Sequence, residues 1–320
     1  DGLAALARCR EVLADEAAID APIVRARLHL QCADALLELG RIHEGRQDAE
    51  TALRLADEIG HVPLSADALT GLGIVALRCG EHAIARDYCE QALALYRRLG
   101  DELRAARVRN NLGIIHKNLC EWDAAIAHFR AVLDIYERNG HRAETAAPLM
   151  NLGIVQQKMG EWSEAAESYR RCAAVYSGIG DEAHLSNVAI GLGNVLRLQR
   201  RFPEAQARFE AALERSRRMG SRREEVLALE FLGELEFDRE QPQAALDRYD
   251  AALAVAAATA PEGDLVVEIE GGVLQDQRDG AVDAAPSAVT QGGVLQRPLG
   301  VATVLRLSAA VRGTASAWRA

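Results

Sequence analysis

The sequence predicts an all-α fold, an α-α superhelix of stacked antiparallel hairpins, and three observations carry that prediction. Leu-Gly recurs at Leu72-Gly73, Leu112-Gly113, Leu152-Gly153, Leu192-Gly193 and Leu232-Gly233, each step being 40 residues. The composition is 49% hydrophobic but only 4% aromatic, so the apolar mass is mostly Ala, Leu, Val and Ile, a mixture that suits helices better than strands. A glycine then closes each unit, at Gly60, Gly100, Gly140, Gly180 and Gly220, as expected for the left-handed helix-ending position that glycine adopts most cheaply.

Within each unit Leu-Gly marks the first helix, and a second set of columns marks the second. Twelve positions after each Gly stands Ala85, Ala125, Ala165, Ala205 or Ala245, and four further on a larger residue, Cys89, Phe129, Tyr169, Phe209 or Tyr249. Three beyond that is a small one, Ala92, Val132, Cys172, Ala212 or Ala252, followed by Leu93, Leu133, Ala173, Leu213 and Leu253. The spacing is that of one helix face. Gly73, Ala85 and their equivalents are expected where the two helices cross closely, with the aromatic filling the adjacent gap. One hairpin cannot bury its apolar stripe alone, so neighbouring units must stack into a solenoid.

Taken in order, residues 1–20 fit the second helix of a truncated unit, with Ala5, Cys9, Val12 and Leu13 in register. Residues 21–260 hold six units of 40 residues. The first is weaker, with Cys32-Ala33 in place of Leu-Gly and Gly45 in place of the crossing Ala. Residues 261–285 are a degenerate partial repeat: Gly280 and Ala285 keep their columns, but Gly271-Gly272 replaces a helical pair. Residues 286–320 contain Pro286, Pro298, Arg297, Arg306, Arg312 and Arg319 and no Asp or Glu. Three readings compete for this tail: an irregular or disordered extension, a cap built on VATVLRLSAAV, or translation of GC-rich coding DNA in a shifted frame. The loss of acidic residues favours the first and the last.

The columns of residues 21–260 resemble the tetratricopeptide repeat (TPR), whose pattern has Leu-Gly in the first helix and Ala, an aromatic and Ala in the second. The period here is 40 rather than the family's usual 34. The extra residues fall around GDELRAA and GHRAETAA and are expected to add a helical turn and a longer connection. The resemblance implies a concave groove, lined by the first helices, that receives an extended or helical peptide of a partner. Asn110, Asn111, Lys117, Asn151, Gln157, Asn194 and Arg197 would project there. Amides can donate to and accept from a peptide backbone, and Lys and Arg can pair with carboxylates. Ile74, Ile114 and Ile154 are either core or groove floor.

Units such as NNLGIIHKNLCEWDAA look like the repeat arrays of bacterial multidomain transcriptional and signalling regulators. The expectation is therefore the sensory or docking region of a larger bacterial protein, consistent with a chain that starts at Asp1 rather than Met. A free-standing adaptor or assembly scaffold is the alternative, and an enzyme with its active site elsewhere the third reading.

Other classes are disfavoured directly. A net charge of −10 and a pI near 5.4 argue against a phosphate-tracking surface, so no direct nucleic-acid contact is expected. The six cysteines form no CxxC pair, which argues against a zinc ribbon or disulfide scaffold and for reduced thiols in a cytoplasm. No apolar run is long enough to span a bilayer. His116 and Cys120 lie four apart but are two ligands short of a zinc site. GLGIVA and GLGNVL begin a dinucleotide fingerprint, yet both sit inside predicted helices without the third glycine. No catalytic, metal or cofactor site is expected. Cys120 is placed in an inter-helix turn, Trp122 and Trp162 as packing wedges, and His116 as an unrepeated surface or groove residue. The expected partners are a protein or peptide in the groove and a second copy at the open repeat ends.

Overall fold

A left-handed residue interrupts the chain every twenty positions. In a computed structural model that describes residues 2–14 and 21–258, φ is +75° at Gly40, +64° at Gly60, +77° at Gly80 and +69° at Gly100. The series continues through Cys120 (+59°), Gly140, Gly160, Gly180, Arg200 (+59°), Gly220 and Glu240 (+63°). Between these points run α1 (Gly2–Ala14), α2 (Pro22–Glu38), α3 (Ile42–Glu58), α4 (Val62–Arg78), α5 (His82–Leu99), α6 (Glu102–Asn118) and α7 (Trp122–Arg138). Then come α8 (Ala146–Met159), α9 (Trp162–Ile179), α10 (Glu182–Leu198), α11 (Phe202–Met219), α12 (Arg222–Asp238) and α13 (Pro242–Ala257). No strand occurs among the described residues. Residues 261–285 and 286–320 lie outside them.

Local chemistry sets the helix ends. The Asp101 and Asp181 side chains accept from the Arg104 and His184 amides at 2.9 and 3.1 Å, covering donors that a helix start leaves bare. At the other end the Asp101 amide donates back to the Tyr96 carbonyl at 3.0 Å across Gly100, closing a Schellman turn. Pro22, Pro63, Pro203 and Pro242 sit in first turns, where a missing N–H costs nothing.

The extra residues of the long period go into helix length, so the connection at GDELRAA is no longer than the others. Only GHRAETAA behaves as expected for a longer link: Ala143–Thr145 form a 3-10 turn, and α8 starts late, at Ala146.

Helices pair as α2/α3, α4/α5, α6/α7, α8/α9, α10/α11 and α12/α13, and each second helix also packs on the next first helix. Successive first helices touch one another, whereas successive second helices make no comparable contact. The layer of first helices is thus the tighter one and forms the concave side.

The crossing positions are closer than the column pattern conveyed. A Cβ placed on Gly113 would lie 2.6 Å from Phe129 Cε1, and on Gly193 2.6 Å from Phe209 Cε1. Gly153 and Gly233 face Tyr169 and Tyr249 in the same way. The glycine therefore makes room for the ring itself, and the crossing Ala lies beside that contact. The rings of Phe129, Tyr169, Phe209 and Tyr249 are at most 1% exposed. In the first unit Ala33 opposes Ala49, which carries no ring, and Gly45 lies 3.3 Å (from its projected Cβ) from the Ala33 carbonyl.

The half-unit α1 meets α2 through Leu6, Cys9 and Leu13. Ala5 and Val12, expected in register, are exposed. Their counterparts in complete units pack on a first helix of the same hairpin, and the described residues give α1 no such helix. A bidentate Arg10–Asp48 pair (2.6 and 3.2 Å) and His29 Nδ1 at 2.7 Å from Asp48 tie α1, α2 and α3 together.

Candidate functional site

Each first helix buries the arc facing its hairpin partner and the preceding unit, and turns the opposite arc to the concave side. Ile74, Ile114 and Ile154 occupy the middle of that arc. All three are partly buried and packed against the core beneath. Asn194 and Glu234 continue the row at the same repeat position.

Polar side chains flank this row. Lys117 Nζ on α6 donates to Asn151 Oδ1 on α8 at 3.2 Å, so two of the expected residues meet across neighbouring units. No carboxylate lies within ion-pair range of Lys117 among the described residues, and burial holds its pKa below the usual lysine value. Asn111 is partly buried beside Leu112. Gln157 accepts a hydrogen bond from the Tyr169 hydroxyl at 3.3 Å. Asn110 Oδ1 is buried without a hydrogen-bond partner.

Arg197 differs from its expected role. Its guanidinium is 14% exposed and reaches Glu234 at 2.7 Å and Asp238 at 2.5 Å on α12, while Asn194 Oδ1 accepts from its Nη2 at 3.0 Å. The neighbouring helix α12 thus supplies two carboxylates to this cation. The sequence reading also passed over Glu230, Glu234 and Asp238. Their i, i+4, i+8 spacing puts three carboxylates on one face of α12, and Glu230 stands at the repeat position of Asn110. Carrying the columns into the last complete unit would have found them. Burial, reinforced by the charge of Glu234, pushes the Glu230 carboxyl up to about 8. Burial also raises Glu234, with Arg197 pulling the other way.

His116 is partly buried between α6 and α7. Its side chain is 14% exposed, its ring stacks on His128 at 5.1 Å between centroids, and its Nδ1 pairs with Glu121. Burial, with further push from His116 and the Arg109 and Arg97 charges, brings His128 down to about 4. Cys120 holds the predicted turn. Trp122 packs against the core as a wedge, but Trp162 is 40% exposed. No group of three or more His, Cys, Asp or Glu able to hold a metal ion occurs among the described residues, and none of their helices is long and apolar enough to cross a membrane. Two clefts of about 590 and 460 Å³ lie on the outer side, around α7, α8 and α9, and the Glu137–Arg171 ion pair lines both.

Paired helices at a fixed step, stacked with one layer inside, define a helical-repeat solenoid with an inner groove. The tetratricopeptide repeat model matches residues 24–98, 64–138, 104–178 and 184–258, and the chain belongs to that family. A search of curated protein sequences finds no match. Among solved structures the fold is similar to the apo form of RapI, at 14% identity over 80% of this chain and 92% of that one, with a TM-score of 0.65. It is similar to a signal-transduction ATPase with numerous domains and a tetratricopeptide repeat sensor from Pyrococcus horikoshii, at 12% identity, 79% and 41% coverage and a TM-score of 0.66. It is also similar to a Rap protein in complex with Competence and Sporulation Factor, at 14% identity, 76% and 70% coverage and a TM-score of 0.55.

Proposed function

We propose that this chain is a non-catalytic docking scaffold whose concave face holds a peptide segment of a partner protein. The observation that carries this reading is Lys117: a partly buried cation on the groove wall with an amide neighbour, Asn151, and no carboxylate to balance it. A buried ammonium without a counter-ion favours a carboxylate ligand. The amides of Asn110, Asn111, Asn151, Gln157 and Asn194 supply donors and acceptors for the ligand's backbone. The aliphatic floor of Ile114 and Ile154 supplies apolar contact.

In this reading the chain is the sensory or docking region of a larger bacterial regulator and works in the cytoplasm. The tetratricopeptide repeat sensor of the similar multidomain ATPase supports the first part, and six free cysteines support a reducing compartment. Self-association at the α1 edge, where Leu3 and Val12 are exposed, belongs to the same reading. An ATPase or DNA-binding module encoded in frame with the repeats supports the regulator, and a gene encoding the repeats alone supports an adaptor.

Selection of a random peptide library on the full chain, followed by affinity measurements, tests the groove. Selected peptides should lose at least tenfold in affinity to Lys117→Ala and to the Asn111→Ala/Asn151→Ala double variant. Unchanged affinity for these variants removes the assignment.

A further inference from the structure

The groove changes character along its length. At its centre, α6 and α8 present Lys117 and amides. At α12 they are replaced by Glu230, Glu234 and Asp238. Arg197 engages Glu234 and Asp238 and leaves Glu230 alone. Glu230 is only 5% exposed, and its Oε1 has no hydrogen-bond partner. Buried polar atoms are almost always paired, so an orphan of this kind calls for a ligand or another cause.

A second observation comes from the repeat itself. Glu230 shares its repeat position with Asn110, whose Oδ1 is likewise buried and unpartnered. The remaining units have Leu30, Thr70, Met150 and Ile190 there, and Thr70 satisfies its own hydroxyl on the Ala66 carbonyl at 2.8 Å. In the two polar members of this position that do not pair locally, the orphaned atom is in each case a side-chain oxygen, Asn110 Oδ1 and Glu230 Oε1. What completes them must donate, and beside Glu234 the donor best matched to Glu230 is a cation.

We infer that the α12 end of the groove binds an Arg or Lys side chain of the partner peptide whose carboxylate is held near Lys117. This rests on the groove reading above and adds a direction and a spacing to it. From α6 to α12 are three steps between first helices, each roughly 8–10 Å, or roughly 25–30 Å in all. An extended peptide covers that in about eight or nine residues at ~3.3 Å each. The ligand therefore carries an acidic residue and a basic residue about that far apart.

Fluorescence anisotropy with the full chain and labelled synthetic peptides tests this. The probes are an Asp-Asp pair followed by a Ser/Ala spacer, with one Arg eight or nine residues on, and the same peptides with citrulline in place of Arg or with Arg moved to three residues from the Asp pair. The distal Arg should bind at least tenfold tighter than citrulline. Glu230→Gln should erase that advantage and leave the citrulline peptide unaffected. Glu230→Leu, which removes the carboxyl without leaving a buried polar group, provides the same comparison should Glu230→Gln melt early. Equal affinity for Arg and citrulline peptides, or an advantage that survives both variants, overturns the inference and leaves the groove standing. Loss of all binding on Lys117→Ala separates the two, because it tests the carboxylate end alone. Absence of binding by every peptide overturns the groove reading together with the inference.

Discussion

The hairpins α2/α3 and α6/α7 solve the same crossing with opposite residues. In α6/α7, Gly113 receives the Phe129 ring and Ala125 lies alongside. In α2/α3, Ala33 faces Ala49, and the second-helix position beside them is Gly45. Where the ring is present the first helix gives up its Cβ; opposite Ala49 the Cβ returns, whereas opposite the mid-sized Cys89 it is still absent, at Gly73. In these two hairpins the facing residues are matched in size as a pair. The weaker match of the first unit to the repeat pattern is compensated in packing.

The largest test of that comparison is Phe129→Ala, which empties a fully buried site. It should cost about 3–5 kcal/mol in denaturant unfolding. Ala49 shows alanine accommodated at this repeat position with Ala33 facing it. Gly113→Ala is the converse. Alanine is the better helix former, yet its Cβ would overlap the ring, and the variant should lose about 1–3 kcal/mol. The double variant, which recreates the Ala33–Ala49 pair, should be more stable than the sum of the two losses predicts. Additive losses would break the comparison.

Smaller effects test the turns. Cys120 adopts the left-handed conformation that Gly80 and Gly160 hold at the equivalent turns. Cys120→Gly should therefore stabilise by about 1 kcal/mol in thermal unfolding, despite the usual entropic cost of glycine. A further test concerns pH. Glu230 has its folded pKa raised to about 8, so between the ordinary carboxylate range and pH 8 the folded state binds more protons than the unfolded. Its contribution should fall as pH rises through that window. Glu230→Gln should flatten the decline in melting temperature between about pH 5 and pH 8.

Much of the fold could be read from the sequence, because each unit provides five further copies against which to check it. The Leu-Gly step located the first helices, the closing glycines fell on left-handed turns, and Cys120 was placed in a turn because it shares its repeat position with Gly80 and Gly160. What stayed hidden depends on contacts between columns. The stacking of His116 on His128 joins two helices with no repeated signal at either position. The exposure of Ala5 and Val12 depends on which helix stands opposite. Arg197 was legible as a polar groove position, but its occupation by Glu234 and Asp238 required the spacing of α10 and α12. Asn110 and Glu230 show the same limit, since a missing hydrogen bond has no mark in sequence.

The central claim is that the first-helix layer forms the binding face. Site-specific photo-crosslinking of a library-selected peptide tests it most directly, with a photoreactive phenylalanine analogue placed at Ile114 on the groove floor or at Arg130 on the exposed outer side of α7. Crosslinked product is expected from position 114 and none from 130. Crosslinking from 130 in the absence of product from 114 would contradict it.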